Sequence, residues 1–131
     1  MLESEEASQL GLASEGEAAA RSGVRFLSLP TPDRGVPDSL AEVQRLLREV
    51  VGELGAGRSV AVHCRQGIGR SGLIAIGALI VSGVDLDEAI ETVSAARGLP
   101  VPETESQLHW LREFQKLNLS ASCTTRQLSP F

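Results

Sequence analysis

Apolar residues recur in two helical patterns along the middle of this chain. Across 40–54 they return every three or four positions, which predicts an amphipathic helix. Asp38 stands where its N-cap is wanted, and glycines follow its last apolar residue. Across 71–82 the apolar residues are almost continuous, which predicts a central helix buried on every side.

Two more helices are predicted in the second half of the chain. One starts with Asp85 or Asp87 as its N-cap and ends at Gly98. The other spans roughly 103–117, with its apolar residues on one stripe. No clear period continues beyond it, so we expect a tail from 118 to 131.

The first third of the chain has weaker patterns. Residues 3–22 are typical of two short helices, the second opened by Ser14 and Glu17 in capping-box spacing. The stretch 24–30 reads as a strand ended by proline, and 59–63 as a short apolar strand of a parallel sheet. This order predicts an α/β fold with a central, mostly parallel sheet flanked by helices.

Composition narrows the class of protein. The chain has 131 residues, 42 % of them hydrophobic, which suits one domain with one core. Its net charge of −5 argues against a nucleic-acid partner. The longest apolar run, Leu73–Val81, is too short to cross a bilayer and no secretory signal is present, so we expect a cytoplasmic protein without a membrane partner. Cys64 and Cys123 are too few for a disulfide scaffold and too poorly spaced for a zinc site.

The stretch "VHCRQGIGRSG" at 62–72 joins the second predicted strand to the buried helix. The first turn of that helix leaves N–H groups unpaired, and they carry partial positive charge. Gly67 and Gly69 let successive amides turn towards one centre. The junction is therefore predicted to cradle an anion such as a phosphoryl group.

Cys64 lies at the start of this cradle, where a helix N-terminus and nearby cations lower the pKa of a thiol. We therefore expect a thiolate nucleophile. Arg70 supplies a planar fork for two phosphoryl oxygens, which lysine cannot do. Ser71 can hydrogen-bond the sulfur and help it leave, and His63 can fix the loop through its ring nitrogens.

Three segments together resemble a known family. "HCRQGIGRSG" resembles the His-Cys-x5-Arg-Ser/Thr signature of cysteine-dependent protein tyrosine phosphatases. "PTPDRGVPDS" resembles the acid loop of their dual-specificity branch, in members akin to the cyclin-dependent-kinase-associated phosphatase and small prokaryotic enzymes. "PETESQLHWLREF" is similar to their C-terminal helix segment. The resemblance covers 1–117 as a catalytic domain and leaves the tail outside it.

The resemblance implies a phosphomonoester hydrolase that works through a phosphocysteine intermediate, without a metal or other cofactor. Cys64 would attack phosphorus, and Asp33, which matches the Asp of the family's Pro-x-x-Asp-x-Gly-x-Pro pattern, would be the general acid. Asp38 is the other upstream aspartate, and we assign it to helix capping. The phosphate would be held by Arg65, Gln66, Gly67, Ile68, Gly69 and Arg70.

Two features depart from the family pattern. The family often has a water-positioning glutamine where this chain has Glu103; Gln107, one turn later, could take that role or be an exposed helix glutamine. Family members also have strands before the stretch that matches the start of this chain. The sheet is then short at its N-terminal side, so either Met1–Leu2 and the tail supply strands or a second chain covers the edge in a homodimer.

Substrates and rival functions follow from the same residues. The chain has no tyrosine and few aromatic residues, which predicts a shallow site open to phosphotyrosine and phosphoserine/threonine proteins and to aryl phosphates, with phosphate or vanadate as ligands. A rhodanese-like sulfurtransferase also has a loop cysteine below a ring of amides, but needs no acid at Asp33. A non-catalytic phosphate-binding module typically loses the nucleophile, the arginine or the acid. A phosphoinositide or RNA phosphatase stays open.

Overall fold

The computed structural model describes residues 1–127, with side-chain surroundings up to Ser122. Within these residues the regular elements are all helices. They are α1 (Ser4–Gln9), α2 (Glu15–Arg21), α3 (Leu40–Gly55), α4 (Arg70–Val81), α5 (Leu86–Arg97) and α6 (Glu105–Gln127).

The core is built around α4, which packs against α3, α5 and α6. Leu73 and Ile76 of this helix are fully buried, as the continuous apolar run predicted. Gly77 allows α3 to approach closely, because a Cβ there would stand 2.9 Å from Cδ1 of Leu47. The prediction of a central buried helix is confirmed, and this helix carries Arg70 and Ser71 in its first turn.

The helix caps correct one detail of the sequence prediction. α3 is capped by Ser39, whose hydroxyl accepts a hydrogen bond from the amide of Glu42 at 3.3 Å. Asp38 is therefore not the N-cap. At α5 the cap is Asp85, and Gly98 ends the helix in the left-handed region with φ 73°. The close positions of serine and aspartate before α3 explain the error, since both residue types cap helices well.

The last helix is longer than predicted. It continues past 117 to Gln127, so the start of the predicted tail is helical. Neither glycine nor proline occurs between 118 and 127, and nothing in the sequence stops the helix there. Residues 128–131 and the side chain of Cys123 lie outside the described part.

The predicted fold class is wrong for the described residues. No strand forms in 1–127, so the central, mostly parallel sheet of an α/β fold is not seen. The segments 24–30 and 58–63 have no regular structure and line a groove of about 1040 Å³. Val24 is 58 % exposed and Phe26 42 %. A strand pattern becomes a strand only when a neighbouring strand pairs with its backbone, and neither segment has one.

The first residues are fixed by polar contacts. Two short helices form as predicted, but the hydroxyl of Ser14 makes no capping bond, and the capping box lies instead at Glu3 and Glu6. Met1 and Leu2 do not supply a strand; the carbonyl of Met1 accepts a hydrogen bond from the amide of Thr31 at 3.2 Å. None of the described helices is both long and apolar enough to cross a membrane.

Candidate active site

Residues 64–69 form a tight loop that leads directly into α4. Gly67 adopts φ 72°, a conformation that favours glycine, and Gly69 is the N-cap residue of the helix. The next two residues, Arg70 and Ser71, are buried. The first turn of the most buried helix, with N–H groups that have no partner inside the helix, therefore borders the loop.

The sulfur of Cys64 lies inside this loop and accepts hydrogen bonds from it. The amide of Gly67 donates to Sγ at 3.3 Å, and Oγ of Ser71 is 3.4 Å from Sγ. Burial raises the pKa of the thiol. Hydrogen bonds from the Ser71 side chain and from the backbone of Ser71, Gly67 and Gln66 outweigh burial and lower the pKa to about 7. A large fraction of Cys64 is then thiolate at neutral pH.

Arg70 is held from behind by a carboxylate that the sequence analysis missed. Its Nη1 donates to Oε2 of Glu6 at 2.7 Å and its Nη2 to Oε1 at 2.9 Å, a bidentate pair. This hydrogen bond lowers the pKa of Glu6 to about 2. The largest causes that lower the pKa of Cys64 are hydrogen bonds, and the charge of Arg70 is paired with Glu6.

The guanidinium of Arg70 also contacts two backbone carbonyls and the carboxylate of Asp33. Nη1 also donates to the carbonyls of Thr31 at 2.9 Å and Met1 at 3.4 Å, which orients the group. Nη2 lies 3.2 Å from Oδ1 of Asp33. The side chain of Arg70 is only 2 % exposed, and among the described residues no buried polar side-chain atom is left without a hydrogen-bond partner. Nη1 is occupied by Glu6 and the two carbonyls, so an oxyanion would approach from the Nε and Nη2 side, where Nη2 faces the exposed Asp33.

Asp33 and Asp38, the two upstream aspartates, have different surroundings. Asp33 is paired with Arg70, and its side chain is 63 % exposed, so it can reach a group bound in the loop. Asp38 is exposed and forms no ion pair in the described part of the chain. The geometry brings Asp33 to the candidate site and gives Asp38 no role there.

His63 is anchored by a residue of α2. Its Nε2 lies 2.6 Å from Oε1 of Glu15, and its Nδ1 lies 3.3 Å from the carbonyl oxygen of Cys64. The partner that the sequence could not provide is therefore Glu15. The imidazole links the loop backbone to the first part of the chain.

Gln107 is fully buried, so the interpretation of an exposed helix glutamine is wrong. Its Oε1 accepts hydrogen bonds from the amides of Glu103 at 3.1 Å and Thr104 at 3.2 Å. Its Nε2 donates to the carbonyl of Gly35 at 3.1 Å. Through these contacts Gln107 connects the segment before α6 to the acid loop, 30–38.

The outer part of the loop is held by a second residue that sequence reasoning missed. Nε of Arg97, the last residue of α5, donates to the carbonyl of Gly67 at 2.8 Å, and its Nη2 donates to that of Gln66 at 3.5 Å. Its only sequence signal is a basic residue in the last turn of a helix, which is common. The side chain of Arg65 is exposed, whereas Ile68 is half-buried and Gly69 buried.

The described residues offer no metal centre. In this part of the chain, no three or more side chains of histidine, cysteine, aspartate or glutamate are grouped so that they could hold a metal ion.

A protein-family comparison matches most of the chain, including the residues of the loop. The model of the dual-specificity phosphatase catalytic domain matches residues 9–117. The chain is 31 % identical over 88 residues to rat cyclin-dependent kinase inhibitor 3 and 32 % identical over 100 residues to the pig protein. These matches cover 66 % and 75 % of this chain but 41 % and 46 % of those proteins. The chain thus spans less than half the length of these curated relatives.

Two solved structures are also similar. The crystal structure of Tk-PTP in its active form matches with a TM-score of 0.69 and 33 % identity, over 76 % of this chain and 67 % of that one. A kinase-associated phosphatase, whose catalytic-site cysteine is replaced by serine, matches with a TM-score of 0.78 and 23 % identity, over 90 % of this chain and 67 % of that one. The second likeness concerns the fold alone.

Proposed function

The chain belongs to the dual-specificity phosphatase family, and from this premise we propose that it hydrolyses phosphomonoesters through a phosphocysteine intermediate. One observation carries the proposal. The Cys64 sulfur, with a thiol pKa of about 7, lies in a loop whose amides donate to it, and this loop opens the helix that bears Arg70. Nucleophile, anion cradle and guanidinium come from one continuous segment.

In the first step the thiolate of Cys64 attacks phosphorus, and the bond from phosphorus to the leaving oxygen breaks. Asp33 gives its proton to that oxygen. The Nε and Nη2 edge of Arg70 and the amides of 65–70 stabilise the charge that develops on the phosphoryl oxygens. Glu6 contributes by holding the Nη1 and Nη2 end of the guanidinium, so that the fork is oriented before substrate arrives.

In the second step water attacks phosphorus and gives its proton to the carboxylate of Asp33. The sulfur–phosphorus bond breaks, its electron pair returns to Cys64, and inorganic phosphate leaves. The hydroxyl near the sulfur, that of Ser71, stabilises the departing thiolate at a distance of 3.4 Å. No redox partner is needed, because both steps are displacements at phosphorus. Gln107 is proposed to support the acid loop; positioning of water by it stays a prediction.

We propose a broad substrate range, from phosphotyrosine and phosphoserine/threonine proteins to aryl phosphates. Two of the described aromatic residues, Trp110 and Phe114, stack on each other with ring centroids 5.3 Å apart, and Phe114 is buried in the core. Phe26 lines the groove on the side of 24–30. None of these three rings is placed to stack on a substrate ring at the phosphate loop, which supports a shallow phosphate site. Phe131 lies outside the described residues. A reducing compartment such as the cytoplasm suits a catalytic thiol.

The test compares two cysteine substitutions. Cys64→Ser is expected to abolish turnover of p-nitrophenyl phosphate and of phosphotyrosine peptides while vanadate still binds, because only the nucleophile is lost. Cys123→Ser is the matched control and should retain wild-type turnover. Rapid quenching of the wild type with a slowly hydrolysed substrate should yield one phosphoryl group attached to Cys64, measured by mass spectrometry.

Turnover by Cys64→Ser at the wild-type rate would refute covalent catalysis by Cys64. Thiosulfate:cyanide sulfur transfer without phosphate release would favour the sulfurtransferase instead. Vanadate binding without any turnover would favour a binding module.

A further inference from the structure

The acid loop, 30–38, contains a residue in a costly conformation directly after the proposed acid. Arg34 has φ 59°, in the left-handed region that non-glycine residues rarely adopt. Inside the loop, a turn is closed by the amide of Gly35, which donates to the carbonyl of Pro32 at 2.9 Å. Such a conformation persists only when surrounding contacts hold it.

Those contacts come from the segment 103–107, which leads into α6 and includes its first residues. Nη1 of Arg34 lies 2.7 Å from Oε1 of Glu103, and the carbonyl of Gly35 accepts a hydrogen bond from Gln107 at 3.1 Å. The two residues that follow Asp33 are therefore both bound by one segment, 69 and 72 positions further along the chain. Asp33 itself touches only Arg70 among the ion pairs of the described residues.

The same segment rests on the phosphate loop. A Cβ at Gly69 would lie 2.8 Å from Nε2 of Gln107 and 3.1 Å from Oε2 of Glu103, so both side chains contact the backbone there. Glu103 is 24 % exposed. Its negative charge is balanced by Arg34, so the carboxylate repels an anion in the phosphate loop less than an unpaired carboxylate would. Glu103 and Gln107 thus touch the acid loop and the phosphate loop at once.

We infer that Glu103 and Gln107 are positioning residues: they latch the acid loop onto the phosphate loop through Arg34 and Gly35, and so keep Asp33 beside Arg70. The inference rests on the proposed function, in which Asp33 protonates the leaving oxygen. Loss of the latch slows the step that needs this proton and leaves attack by Cys64 intact.

The first experiment does not depend on activity. Hydrogen–deuterium exchange of the amides of Asp33, Arg34 and Gly35 is compared in wild type, Glu103→Gln and the control Glu113→Gln, which removes an exposed ion pair with Lys116 on α6. Faster exchange of these amides in Glu103→Gln alone is expected. Equal exchange in all three proteins overturns the latch, whether or not the protein is a phosphatase.

The second experiment uses aryl phosphates of graded leaving-group basicity. For a poor leaving group, Glu103→Gln and Arg34→Glu should each lower kcat about two- to five-fold, the range expected for one partly exposed ion pair. For a leaving group that needs no proton, kcat should be unchanged. The double variant Arg34→Glu with Glu103→Arg should recover most of the loss, and 1 M salt should reduce the difference.

Arg34→Gly separates backbone strain from the ion pair, because glycine adopts φ 59° without cost. A loss equal to that of Glu103→Gln supports the latch. If Arg34 instead binds substrate, KM for acidic peptides rises in Arg34→Glu and the reversed pair does not restore it, which overturns the inference. Wild-type turnover with the same leaving-group dependence in every variant overturns it too, while the phosphatase proposal stands.

Discussion

At the residue scale, the sulfur and the guanidinium are prepared by different neighbours. Cys64 owes its lowered thiol pKa to hydrogen bonds from Ser71 at the start of α4 and from its own loop, all of which the motif at 62–72 contains. Arg70 owes its orientation to Glu6, which lies 64 positions away and looks like any other acid of a short Ala/Glu helix. The first could be predicted from the sequence because the contacts are local, whereas no spacing rule connects Glu6 to Arg70.

Ser71→Ala should raise the pH at which Cys64 becomes reactive. Removal of one hydrogen bond to the thiolate is worth about 1 kcal/mol, so the midpoint should rise by roughly half to one pH unit from its value near 7. The measurement is the rate of alkylation by iodoacetamide against pH, in a Cys123→Ser background where only Cys64 reacts. An unchanged midpoint would show that the Ser71 hydroxyl does not stabilise the thiolate.

The two upstream aspartates should differ sharply in effect. Asp33→Asn removes the transferable proton next to Arg70, and general acid catalysis typically contributes about 10²–10⁴-fold, so kcat for phosphotyrosine peptides should fall by a factor in that range. Asp38→Asn is the matched control and should keep wild-type kcat. Steady-state kinetics across pH make the comparison. The reverse ranking would move the acid to Asp38 and leave the nucleophile unaffected.

At the element scale, the helices could be predicted and the strands could not. The helical patterns at 40–54 and 71–82 correspond to α3 and α4, because an amphipathic or buried helix satisfies its own backbone. The apolar patterns at 24–30 and 59–63 indicate only that these segments are compatible with a strand. Whether a sheet forms depends on a neighbouring strand, which a local pattern does not contain. The end of α6 was misplaced for another reason. The apolar period is lost after 117, but the helix continues because no glycine or proline interrupts it before Gln127.

Two glycines inside helices should respond differently to alanine. At Gly52 of α3 nothing lies within 4 Å of a Cβ, so Gly52→Ala should stabilise the protein by about 0.5–1 kcal/mol through helix propensity. At Gly77 of α4 the new methyl group would press on Leu47, so Gly77→Ala should fall at least ~1 kcal/mol below Gly52→Ala in stability. Urea unfolding measures both. Equal stabilisation would mean that α3 moves aside without cost.

At the scale of the whole molecule, the site joins parts that are distant in the chain. Glu6 and Asp33 come from the first third, the phosphate loop from the middle, and Gln107 from the last helix. The groove of about 1040 Å³ beside these parts has exposed apolar residues on its walls. The homodimer, which was expected to cover the edge of a short sheet, stays a prediction that light scattering over a concentration series would measure.

The long-range pair of Glu6 and Arg70 should make stability fall in acid. Because the pKa of Glu6 is lowered from 4.5 to about 2 in the folded protein, its contribution is fully present above pH 4.5 and is lost as the pH falls towards 2. Urea midpoints between pH 7 and pH 2 measure this. Glu6→Gln should be less stable at pH 7 and lose less on acidification, whereas Glu88→Gln on α5 should follow the wild type. Parallel curves for wild type and Glu6→Gln would contradict the assignment.

The contacts of Met1 have a practical consequence for handling the protein. Its carbonyl accepts from Thr31 and from Arg70, its amino group is partly buried, and burial lowers the pKa of that group. A purification tag fused before Met1 would therefore start at the wall of the groove, next to the guanidinium that we propose binds phosphate. Tagged and tag-free preparations would then differ in phosphate affinity for reasons unrelated to substrate, so the tag should be removed before phosphate affinity is measured.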